Sequence, residues 1–216
     1  MKNIFVSIIL AFLILNLNAQ ENPTHSTLVM GVPQYLLIGG VRIDIDKQTG
    51  VGNKWLIFSP SIYYNYTENS GSFSIGRNDY KRLLGAGLEV SRRIFLTKQV
   101  KNSGFYWSFG GGYKYFNLNV SDYLWETIPG NLVQYHLSST QKDYSISIHS
   151  LSMNSIMGFQ KEVYEALYID VFVGFGIKYG IYDQPFGSFK RYNEAGWDYG
   201  YRGTMFVGGI RFGVGL

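Results

Sequence analysis

The chain has 216 residues, of which only 16% are charged and 17% aromatic, with 26 glycines, 18 tyrosines and a formal charge of +4. Soluble domains carry about 25% charged residues, so much of this surface need not face water, and the length fits one domain. Lys and Arg are scattered without a run, which argues against nucleic-acid binding, and the lack of cysteine excludes disulfides and a lipid-attachment thiol.

Residues 1–19 read as a secretory signal peptide. Lys2 supplies the positive start, Ile4 to Leu15 is almost wholly apolar, and Asn16-Leu17-Asn18-Ala19 leads to a cut before Gln20. The apolar run is shorter than the roughly 20 residues a spanning helix needs. Residues 20–216 are then expected to form one β-barrel domain.

Beyond the signal, apolar residues recur with period two and no amphipathic helix stands out. Thr24 to Val32 is a faint first strand, with Pro33-Gln34 at a bend. Val41, Ile43 and Ile45 then alternate with Arg42, Asp44 and Asp46 in a strand over 37–46. Leu56, Phe58, Ile62, Tyr64 and Tyr66 share a face interrupted by Pro60. Leu84, Ala86, Leu88 and Val90 oppose Gly85, Gly87, Glu89 and Ser91. Phe105, Trp107, Phe109, Tyr113 and Tyr115 oppose Ser108, Gly110, Gly112 and Lys114.

Tyr144, Ile146 and Ile148 begin a sixth strand whose parity shifts near His149, as a bulge would cause. Leu167 to Tyr182 is the clearest case: its odd positions run Leu, Ile, Val, Val, Phe, Ile, Tyr, Ile, while the even ones mix glycine, charge and aromatics. Phe206, Ile210, Phe212, Val214 and Leu216 form the last strand. Short connections near 47–53, 98–103 and 161–165 alternate with long ones near 67–79, 120–141 and 183–198. Short turns on one side and long loops on the other require the faint first strand, giving an even count. The expected fold class is all-β, an eight-stranded antiparallel transmembrane up-and-down β-barrel with both termini on the short-turn side.

The terminal alternation Ile210, Phe212, Val214, Leu216 resembles the last strand of bacterial outer-membrane barrels, with Leu216 where an aromatic residue is usual. Residues 24–216 as a whole resemble small outer-membrane barrels of the OmpA/OmpX type and related uncharacterised barrel-domain families. That resemblance implies an outer-membrane location, contact with outer-membrane lipids including lipopolysaccharide, and delivery by the barrel-insertion machinery. It implies no cofactor and no particular activity.

The polar faces direct Arg42, Asp44, Glu89, Arg93, Lys114, Asp170, Lys178 and Arg211 towards the barrel axis. Unpaired charges there are costly, so they are expected to pair and plug the interior. A narrow pore is the alternative. Glycines inside strands, among them Gly110, Gly112, Gly174, Gly176, Gly208 and Gly209, imply curvature or close packing. Candidate recognition residues lie in the long connections: Trp125 in one, and Phe189, Lys190, Arg191 and Trp197 in another, where aromatics beside cations suit an extracellular ligand or lipopolysaccharide phosphates. His136 and Ser138 have the spacing seen in outer-membrane lipid A deacylases, the basis of an alternative reading as a lipid A or phospholipid acyl hydrolase. No acidic partner aligns with them, and no histidine pair has metal-ligand spacing. The sequence therefore points to a structural or surface-interaction barrel without catalysis.

Overall fold

The computed structural model describes residues 25–49, 53–66, 80–96, 102–128, 136–183 and 198–216, with backbone alone for residues 66, 122–128 and 136–142. Eight antiparallel strands follow in chain order: β1 (Thr27–Gly31), β2 (Gly40–Gln48), β3 (Lys54–Tyr66), β4 (Arg82–Phe95), β5 (Gly104–Ile128), β6 (His136–Tyr164), β7 (Leu167–Tyr182) and β8 (Arg202–Gly215). Each pairs with its sequence neighbour, and β8 closes on β1, giving an up-and-down barrel. The signal-peptide assignment falls outside the described residues.

The period-two reading places side chains correctly over most of the wall. Ile62, Met153, Phe175 and Phe206 are each between 64% and 71% exposed on the outer face, while Trp55, Tyr106, Arg93 and Asp170 are fully buried inside. The short turns lie at the end where Leu216 N–H donates to Thr27 O at 2.9 Å. The tightest is Glu165-Ala166, where Ala166 takes a left-handed φ of 69° and its N–H donates to Glu162 Oε1. Some inward glycines are sterically required. A Cβ on Gly110 would collide with Ser91 and stand 2.6 Å from the Val90 carbonyl, and one on Gly158 would run into the Tyr106 ring.

Two expectations are corrected. No parity shift occurs near His149: β6 stays in register with β7 from Ile148↔Tyr182 to Glu162↔Tyr168, and the irregularity comes later, between Glu162 and Tyr164. Ile146 and Ile148 point inward, into an apolar cluster with Tyr63, Leu83, Phe116, Leu118 and Val120. The rule of apolar outside and polar inside fails there because the loop end of the interior is itself a hydrophobic core. Second, the connection expected over 120–141 is mostly strand. β4 stops pairing with β5 at Arg82↔Asn119, yet β5 and β6 continue to pair out to Ile128↔His136. Val, Tyr, Trp, Thr and Ile are good strand formers, so this two-stranded ribbon extends the ladder past the rim without a clear apolar face to announce it.

The seam between β1 and β8 is short. Among the described residues only Leu28–Gly31 pairs with β8, opposite Gly215–Phe212. The chain leaves the ladder at Pro33, which has no N–H to offer a neighbouring strand. It then forms a 3₁₀ segment, Pro33–Ile38, ending at Gly39, whose left-handed φ of 69° suits glycine. Gly215 N–H donates to Ala166 O on the β7 side and Leu216 N–H to Thr27 O on the β1 side. Backbone direction alternates along a strand. Thr204, Phe206, Gly208 and Ile210 therefore turn their amides to the seam, above the last pair with β1. Among the described residues no backbone hydrogen bond joins the 3₁₀ segment to β8. Hydrogen exchange on the purified barrel should show the amides of Phe206, Gly208 and Ile210 exchanging much faster than those of Phe212 and Val214. Uniform protection along β8 would contradict this description of the seam.

Candidate functional site

The interior is stacked in three layers. At the short-turn end Leu28, Met30, Trp55, Phe95, Tyr106 and Tyr168 form one buried apolar cluster. At the loop end lies the cluster around Tyr63, Leu83, Phe116 and Ile148, with Tyr35 and Tyr199 packed on it. Between them sits the charge. Small barrels of eight strands leave just enough space for side chains to fill, and here each layer is assembled from inward positions of several strands.

The ionic layer is a chain of alternating sign. Glu89 on β4 holds Arg42 on β2 at 3.0 Å, and Arg42 holds Asp44 at 2.7 Å. Asp44 then takes Arg211 of β8 at 2.8 Å, and Arg211 meets Asp170 of β7 at 2.5 Å. Asp170 lies 3.3 Å from Arg93 on β4, which reaches Asp46 at 2.8 Å. Neutral groups add to the coordination: Arg42 also donates to Ser59, Asn154 donates to Glu89, Tyr106 donates to Asp170, and Arg93 donates to Gln160. The guanidiniums also stack, Arg93 on Tyr106 at 4.3 Å and Arg211 on Phe172 at 4.6 Å. Such buried pairs offset their desolvation only when the geometry and secondary hydrogen bonds are good. Those bonds surround Arg42, Glu89 and Asp170, whereas the Asp46 carboxylate oxygens and the Nε atoms of Arg93 and Arg211 are buried without a hydrogen-bond partner.

Of the eight charges expected inside, Arg42, Asp44, Glu89, Arg93, Asp170 and Arg211 join this chain. The two lysines stand apart. Lys114 on β5 donates to the Tyr35 hydroxyl at 3.4 Å, and Lys178 on β7 donates to the Asp198 carbonyl at 2.6 Å. Among the described residues no carboxylate lies within ion-pair distance of Lys114. Asp46, Tyr106, Gln160, Asn154 and Tyr35 are network members not assigned from sequence. Asp46 shares a face with Asp44, and Tyr106 shares one with Ser108, so parity alone could have found both. Tyr35 sits in the irregular segment, where no periodicity applies.

The outer face carries polar groups that satisfy one another. Trp107 Nε1 donates to Ser155 Oγ at 2.8 Å, Asn117 donates to Ser145 at 3.0 Å, and the Tyr113 hydroxyl lies 2.6 Å from His149 Nδ1. His149 is thus an outward wall residue with a hydrogen-bond partner. Phe189, Lys190, Arg191 and Trp197 lie outside the described residues. Trp125, His136 and Ser138 fall on the protruding ribbon, where only the backbone is described. Among the described residues no cluster of His, Asp and Glu could hold a metal ion.

These features define a class: a closed eight-stranded antiparallel β-barrel with an apolar exterior and a filled interior. The chain matches no protein-family model, no curated protein and no solved structure.

The ionic chain makes a direct prediction for stability. Arg93→Met leaves Asp46 and Asp170 buried without their shared cation, and should lower the unfolding free energy by about 3–5 kcal/mol. Adding Asp46→Asn should recover part of that loss, because the two sites are coupled. Urea titration of the purified barrel checks both. Additive losses would show that Asp46 and Arg93 do not act as a pair.

Proposed function

We propose that this chain is an integral outer-membrane β-barrel whose role is structural or one of surface interaction, with no reaction step assigned to it. The observation that carries the reading is the continuous belt of exposed apolar side chains. Every strand from β2 to β8 contributes to it, through Ile43, Ile62, Leu88, Phe109, Met153, Val173 and Phe206 in turn. Monomeric soluble proteins rarely expose contiguous apolar patches beyond a few hundred Å². A barrel turned inside out in this way matches hydrocarbon outside and polar groups within. The paired Trp107, Asn117 and Tyr113 side chains support the same reading, since unpaired polar atoms facing lipid cost several kcal/mol.

On this reading the chain is exported by its N-terminal signal, is folded by the barrel-insertion machinery as small barrels of the OmpA/OmpX type are, and contacts lipopolysaccharide at its loop end. The short-turn end faces the periplasm. The β5–β6 ribbon and the 183–198 connection would then belong to the outer side, and Trp125, Phe189, Lys190, Arg191 and Trp197 are their candidates for contact with an extracellular ligand. The interior favours a plug over a narrow pore, because two apolar layers flank a paired ionic one.

Washed membranes should retain the protein until detergent is added, and the extracted band should change its gel mobility on boiling. Release into the periplasmic fraction without detergent would overturn the proposal. Planar-bilayer recordings of the purified barrel should show no conductance above background, whereas steady ohmic steps would restore the pore.

A further inference from the structure

The 3₁₀ segment occupies a particular place. Continuing the β1–β8 register beyond Gly31↔Phe212 would set Gln34 opposite Gly209. The Gln34 amide does lie against Gly209, where any Cβ would collide with it. The segment thus fills the slot of a missing half-strand while leaving the β8 seam amides without a backbone partner among the described residues. Leu36 and Leu37 face outward, 58% and 45% exposed. Tyr35 faces the other way and reaches across the interior.

The Tyr35 hydroxyl accepts from Arg42 Nη1 at 2.9 Å and from Lys114 Nζ at 3.4 Å. Both cations also lie over its ring, at 5.3 and 5.4 Å, and Tyr63 packs beside it at 6.1 Å. A phenol oxygen therefore stands where two cations converge. Arg42 has two carboxylate partners besides. Lys114 is met at close range by the phenols, with Glu89 acting on it only from further off. An anionic oxygen there would form stronger, charge-assisted hydrogen bonds than the phenol does.

We propose that the 3₁₀ segment is a removable lateral plug, and that the space vacated by Tyr35 binds the carboxylate of a single-chain amphiphile whose tail leaves through the β1–β8 seam. The occupant follows from the dimensions and chemistry of the site. The vacated volume is one ring and one hydroxyl wide, which suits a carboxylate on a single acyl chain and not a two-chain lipid. Arg42 and Lys114 supply the head-group contacts. With the segment displaced, Phe206 and Ile210 of β8 remain at the seam as apolar surface for the tail. The four seam amides of β8 are what a gap there must leave, and among the described residues no backbone hydrogen bond ties the segment to them. Entry of the tail from the side presumes the surrounding apolar phase of the proposed outer-membrane location, on which this inference rests.

The chain has no cysteine, so a single pair can be introduced cleanly. Gln34→Cys with Gly209→Cys would tie the segment to β8 when oxidised and free it when reduced. The probe is a dansyl-labelled long-chain fatty acid, with its methyl ester as control, titrated into the full chain in zwitterionic detergent. The unaltered barrel and the reduced pair should bind the acid saturably and in preference to the ester. Oxidation should weaken binding about tenfold or more, as expected when the competent state becomes rare. Lys114→Met should abolish the preference for acid over ester. Tyr35→Phe, which removes the competing oxygen, should strengthen binding, an effect that loss of a merely structural residue would not produce. Equal binding by oxidised and reduced forms, equal binding of acid and ester, or no saturable binding would overturn the proposal. The assay is independent of cellular location: binding by a chain that fractionates as periplasmic would refute the membrane reading and the lateral entry that rests on it, and leave only the head-group contacts of Arg42 and Lys114 standing.

Discussion

The alternating chain Glu89–Arg42–Asp44–Arg211–Asp170–Arg93–Asp46 is the interaction on which the rest of the barrel depends. It ties β2, β4, β7 and β8 together across the axis, independently of the backbone ladder that ties each strand to its neighbours. A closed sheet that turns so many apolar side chains outward cannot rely on hydrophobic burial alone to hold its interior. The middle of that interior is filled instead by groups whose mutual pairing fixes one arrangement. Alternation of sign lets each guanidinium serve two carboxylates, so every charge in the chain meets one of opposite sign. The apolar layers on either side keep water away from the chain and so strengthen it.

That arrangement also explains where the barrel is weakest. β8 contributes Arg211 to the ionic layer low in the wall, beside the four residue pairs that join it to β1. Above that level the wall is completed by the 3₁₀ segment, held by side chains and not by a ladder. The tyrosine that anchors the segment does so through Arg42, itself a member of the ionic chain, and through Lys114, which has no ion-paired acid among the described residues. Closure at the seam is therefore coupled to the interior charge, and Lys114 sits where closure depends on the Tyr35 hydroxyl.

Much of this was legible in the sequence because a strand writes its two faces in alternate letters. Leu167 to Tyr182 announced both its length and its faces, and loop-length parity recovered the faint stretch Thr24 to Val32, within which β1 runs from Thr27 to Gly31. The interior positions of Arg42, Asp44, Glu89, Arg93, Asp170 and Arg211 followed from the same alternation. What was not legible lay where alternation carries no information. Ile146 and Ile148 point inward because the loop end of the interior is apolar, so both faces of β6 read alike there. The ribbon beyond Asn119 has strand-forming residues on both faces. Tyr35 lies in a 3₁₀ segment whose contacts come from strands distant in sequence, and the pairing order within the ionic chain depends on register across the whole barrel.

In the proposed setting this barrel holds its apolar face to lipid and its charged face to itself. Two of its tryptophans test it directly, since Trp107 faces outward at 44% exposure and Trp55 is fully buried inside. Variants that keep only one of these tryptophans can be reconstituted into vesicles of lipids brominated along the acyl chain. Trp107 should be strongly quenched by the brominated chains and Trp55 little. Trp107 fluorescence that ignores the brominated chains and is quenched by aqueous iodide would contradict it.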